Sequence, residues 1–92
     1  MSNFKQKTIT TKSGQAYTLQ HPGVRAVTKI TDRVKNKYGV MSDEKLADEM
    51  LAHVVVDPKR KVDDFDSYRE LVEVVQEAYK FVTGIEDEAG ND

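Results

Sequence analysis

LQHPGVRAV, residues 19–27, is where the chain changes its period. Before it, apolar and polar residues alternate as in a half-buried strand. After it, apolar residues recur every three or four positions, as on one face of a helix. His21-Pro22-Gly23 stands between. Proline fixes φ and suits the start of a helix, where a missing N–H costs little. Glycine lets the chain turn with no Cβ to clash. The tripeptide therefore reads as a joint, with no reactive partner for His21 in the sequence around it.

Working back from the joint, residues 5–20, KQKTITTKSGQAYTLQ, read as a β-hairpin rich in strand-forming threonine, isoleucine and tyrosine. A two-residue loop at Ser13-Gly14 pairs Thr10 with Tyr17 and puts Ile9 on the face opposite Tyr17 and Leu19. A three-residue loop, Lys12-Ser13-Gly14, pairs Ile9 with Tyr17 and Lys7 with Leu19, with Gly14 in the left-handed position. A slip of one residue would split the apolar set, so the second register is expected.

Working forward, residues 23–38 read as a first helix with a narrow stripe of Val24, Val27, Ile30, Val34 and Tyr38, ended by Gly39. Arg25, Lys29 and Arg33 follow one another at four-residue steps on a different face. Residues 42–55 read as a second helix, capped by Ser42 and carrying Asp43 and Glu44 at its positive end. Its stripe is Leu46, Ala47, Met50, Leu51, Val54 and Val55, and Pro58 halts it. Residues 57–65, DPKRKVDDF, form a charged connection. Residues 67–83 read as a third helix. Ser67 and Glu70 form a capping-box pattern, and Leu71, Val74, Val75, Ala78, Phe81 and Val82 follow the helical period. Val72 and Tyr79 widen that stripe to about half the cylinder, enough for two neighbours or for one neighbour and a partner. Gly84 closes the helix, and the acidic stretch 85–92 is expected to be a flexible tail. The expectation is a single α+β domain over residues 1–84, mainly helical, with an N-terminal hairpin and three α-helices.

The 92 residues suit one small domain with a limited core. The chain has no cysteine, which excludes disulfides and thiolate chemistry. No apolar run approaches a membrane span, and the N-terminus shows no signal-peptide core. A cytoplasmic protein is expected. The net charge of −2 hides an asymmetry. Residues 1–40 hold eight bases against Asp32 alone, and residues 63–92 hold ten acids against Arg69 and Lys80. Either the two ends attract each other or the surface is bipolar and orients a partner.

Catalytic chemistry is hard to find. His21 and His53 sit in no metal-ligand spacing, and the serines fall at turns and caps. Asp63, Asp64 and Asp66 lack the spacing and glycine of a calcium loop. No glycine-rich loop cradles phosphate. No enzymatic role, cofactor or metal is therefore expected. Arg25, Lys29 and Arg33 could track phosphates, but the acidic balance of the domain and the lack of stacking aromatics argue against nucleic acid. Protein binding remains, through the wide face of the third helix (Val72, Val75, Tyr79), the hairpin edges or the basic stripe. A wide apolar helix in a small domain also allows self-association.

Beyond these periodicities, "YTLQHPGVRAV" leading into "KITDRVKNKYG", then "EKLADEMLAHVVVDPKRKVDDFDSYRELVEVV" and a Phe-containing last helix, resemble a known family. It is that of the small tail assembly chaperones of long-tailed phages and prophages of Gram-positive bacteria. The resemblance spans roughly residues 5–83, and its most specific parts are Leu19 to Gly23 and His53 to Pro58. It implies a non-catalytic protein that binds the helical tape measure protein, helps recruit tail tube subunits, and is absent from the finished virion. It also implies a place in the cytoplasm of the bacterial host, and it leaves room for a longer frameshifted form. The alternatives are a phage head–tail connector and a small nucleic-acid-binding regulator.

Overall fold

The computed structural model describes residues 5–84. The acidic stretch 85–92 lies outside the described residues. Strands β1 (Gln6–Thr10) and β2 (Ala16–Gln20) form the hairpin in the expected register, with Ile9 opposite Tyr17 and Lys7 opposite Leu19. The Thr11 amide donates to the Gln15 carbonyl at 3.0 Å and closes the three-residue loop, where Gly14 has φ 94°. Helices α1 (Val24–Arg33), α2 (Asp43–His53) and α3 (Tyr68–Thr83) follow, giving the small α+β fold.

The hairpin is not alone. A third strand, β3 (Val55–Asp57), pairs antiparallel with β2, so β2 is central in the order β1-β2-β3. The Gln20 amide donates to the Val54 carbonyl at 2.8 Å. Helix 42–55 is thus corrected. It stops at His53, and the Val54-Val55-Val56 run becomes the turn into a strand. Val54 and Val55 fit the helical stripe by spacing, but three β-branched residues in a row favour the extended backbone, and Pro58 ends the strand. Val62–Asp64 of the charged connection form a short 3-10 turn.

The first helix is corrected as well. It ends at Arg33 and not at Tyr38. Asn36 captures the chain just beyond, its Oδ1 accepting from the amides of Tyr38 (2.8 Å) and Val40 (3.1 Å). Such side-chain bonds compete with a helix. A bridge between Lys35 and Met41 then turns the chain toward α2. Only Ile30 and Val34 of the expected stripe are buried, with Val27 packed partly against them. Val24 and Tyr38 are exposed.

One core joins the sheet to the helices. Tyr17, Leu19 and Val55 present the sheet's inner face to Ile30, Met50, Leu51, Val74, Ala78 and Val82. Ser42 and Ser67 cap α2 and α3 as expected, accepting from the amides of Lys45 and Glu70.

Candidate functional site

The third helix touches its neighbours differently along its three margins. At its start, Glu70 leaves the expected capping box half made. Its amide reaches Ser67 Oγ, but its carboxylate accepts from the Tyr17 hydroxyl and from Ser13 Oγ, each at 2.7 Å. These bonds, the Tyr17 bond above all, hold the Glu70 carboxyl below its ordinary pKa. Burial, helped by the Glu70 acceptor, pushes the Tyr17 hydroxyl up to about 12. The Tyr17 ring stacks with Phe65 at a centroid distance of 6.2 Å. The Arg60 guanidinium lies 5.7 Å from the Tyr17 ring and 5.6 Å from Phe65. This latch joins the hairpin tip, the 57–65 connection and α3. No local sequence pattern reveals it, because its members lie far apart along the chain.

At the other end of α3, His21 takes a structural part that the sequence around it does not show. The Gly23 amide donates to His21 Nδ1 at 3.0 Å, which leaves Nε2 to carry the proton and donate to the Val82 carbonyl at 3.2 Å. The ring meets Phe81 edge-on at 6.0 Å. The joint therefore binds the hairpin to the end of α3 as well as turning into α1. Gly23, the N-cap of α1, has φ 105° and ψ 151°, a conformation almost confined to glycine.

Between these ends, α3 and α2 leave an open groove of about 700 Å³. Leu71, Val72 and Val75 line it from α3, and Leu46 and Ala47 from α2. Tyr68 stands at the groove, three-quarters exposed. Asp43 and Glu44 give the groove acidic charge, and among the described residues no base lines it. Of the three residues expected to bind a partner on α3, Val72 and Val75 come together here. Val72 is half-buried, whereas Val75 is buried and shared with the core. Tyr79 packs partly against the core and does not line the groove.

The basic stripe divides. Arg25 and Lys29 are exposed on α1. Arg33 is engaged in a bidentate pair with Glu49 of α2, Nε to Oε2 at 3.1 Å and Nη2 to Oε1 at 2.7 Å. That pair raises the Arg33 pKa and lowers that of Glu49. Arg33 thus fastens α1 to α2. His53 Nε2 lies 3.4 Å from the same carboxylate. A second concavity, of about 730 Å³, lies between α2 and the 59–64 segment and carries both signs of charge. There Lys59 Nζ donates to the carbonyls of Leu51 (3.1 Å) and Ala52 (2.7 Å) near the end of α2.

Among the described residues no group of three or more acidic or histidine side chains is placed to hold a metal ion, and no helix is long and apolar enough to cross a membrane. Comparison with protein-family models, with curated proteins and with solved structures gives no match to this chain.

Proposed function

We propose that this chain is a non-enzymatic assembly chaperone for phage tails. In this reading it shelters an apolar stripe of the helical tape measure protein and helps recruit tail tube subunits. It works in the cytoplasm of the bacterial host and leaves before the virion is complete. The observation that carries the reading is the α2–α3 groove, whose apolar floor includes Val72, Leu71 and Leu46. A long amphipathic helix exposes apolar residues at three- and four-residue spacing, and a groove between two helices is the surface that receives such a stripe. The resemblance of residues 5–83 to tail assembly chaperones supplies the identity of that helix. Arg33, already engaged by Glu49, leaves Arg25 and Lys29 as the basic pair on α1, which favours protein binding over a phosphate-tracking stripe.

Co-expression with the tape measure protein tests the proposal. The wild-type chain should co-purify with it, and Val72→Asp should not, while keeping its circular dichroism spectrum. Failure of the wild-type chain to co-purify, or its presence in purified virions, would contradict the chaperone reading.

A further inference from the structure

Tyr38, Val40 and Met41 are exposed by 76, 59 and 38 % and sit on one loop, between α1 and α2. The loop is firmly built. The Asn36 amide donates to the Val40 carbonyl at 2.7 Å, and the Gly39 amide to the Asn36 carbonyl at 2.9 Å. Asn36 Oδ1 takes two further amides. The Ser42 amide bonds the Val34 carbonyl at 2.7 Å, behind the Lys35–Met41 bridge. A loop whose backbone is held at so many points gives its side chains a fixed place, which lowers the entropy lost when they dock. What it holds outward is an aromatic and two aliphatic groups that the domain's own core does not use. Lys35 and Lys37 flank them, the Lys37 ammonium 5.2 Å from the centre of the Tyr38 ring.

The α2–α3 groove has the complementary character, with an apolar floor, acidic Asp43 and Glu44, and no base among the described residues. Loop and groove are also neighbours, since Met41, Ser42 and Asp43 are consecutive. We propose that two copies of this chain associate about a twofold axis, the Tyr38–Val40 knob of each filling the α2–α3 groove of the other. A twofold interface needs one patch that complements itself, so that residue i of one copy meets j of the other and the reverse. A patch with knob beside groove and lysine beside acid meets that need. Both contacts then form at once, and the assembly closes at two copies. Apolar burial supplies the affinity, and the Lys37 pairing with Asp43 and Glu44 sets the orientation.

This inference is tested with the chain alone; because the tail-assembly reading seats the tape measure helix in the same groove, dimer and tape measure complex exclude each other. Sedimentation velocity of the full chain, from about 1 to about 500 µM, should show a monomer–dimer equilibrium. Tyr38→Glu should weaken it by about tenfold or more with the melting temperature of the monomer unchanged. Lys37→Glu and Glu44→Lys should each weaken the dimer, and the two together should restore it. If Tyr38→Glu lowers the melting temperature, Val40→Asp and the charge-reversal pair read the same contact. A monomer throughout the range, a dimer indifferent to Tyr38→Glu, Val40→Asp and the charge reversals, or growth beyond two copies would overturn the proposal.

Discussion

The tied margins of α3 and its open margin use much the same residue types to opposite ends. Toward the sheet, Val74, Ala78 and Val82 disappear into the core, and polar bonds lock the helix at both ends through Glu70 and the Val82 carbonyl. Toward α2, Leu71 and Val72 lie at equivalent helical spacing but border a groove. The difference comes from what stands opposite. The sheet offers Tyr17 and Leu19, both fully buried, whereas α2 shares the core with α3 through Leu46, Ala47 and Val75 but leaves a groove beside Tyr68. An apolar stripe therefore says where a helix can bury surface, and the neighbouring elements decide how much of it is used for folding.

The largest losses of stability are expected on the tied side. Tyr17→Ala removes a fully buried ring and its stack with Phe65 and Arg60, and should cost about 3–5 kcal/mol in chemical denaturation. Glu70→Ala leaves the Tyr17 hydroxyl and Ser13 without their carboxylate, and should cost about 2 kcal/mol. His21→Ala loses two hydrogen bonds at the other end of α3 and should cost about 1 kcal/mol, a drop of several degrees in melting temperature.

Titration sharpens the same contrast with smaller effects. The Glu70 carboxyl is lowered in the folded chain, so its contribution is complete above the unfolded carboxylate value of about 4.3. It fades as pH falls through the lower folded value. Glu70→Gln should flatten that acid limb of stability against pH. The Tyr17 hydroxyl is raised to about 12, so the folded chain keeps a proton that the unfolded chain releases near about 10. Stability should therefore decline between those values, and Tyr17→Phe should remove the part of the decline that this hydroxyl contributes. Substitutions at the groove should leave both limbs in place.

Much of the sheet was legible because alternation is strict there. Ile9, Tyr17 and Leu19 share a face only in one register, and Gly14 supplies the positive φ that its loop needs. The caps at Ser42 and Ser67 were equally local. Where two local rules disagree, tertiary pairing decides. Val54 and Val55 satisfy the helical stripe and the strand preference together, and pairing with Leu19 and Gln20 from far upstream settled the matter. Tyr38 lay in phase with α1, but Asn36 intervened two residues earlier. Of the candidate binding residues, Val72 and Tyr79 are visible in the sequence as extra width on the α3 stripe, and Val75 as part of the stripe itself. The engagement of Arg33 by Glu49, the packing of Tyr79 and the part His21 plays are not, because each depends on residues that only the tertiary fold brings near.

The most direct test of the division between tied and open margins compares two identical substitutions two residues apart on α3. Val72→Asp places a charge at the groove, where water can reach it, and should leave a cooperative thermal transition within a few degrees of the parent. Val74→Asp buries the same charge in the core and should abolish that transition. If Val72→Asp unfolds the domain as fully as Val74→Asp does, the groove face is core and the account of an open margin is wrong.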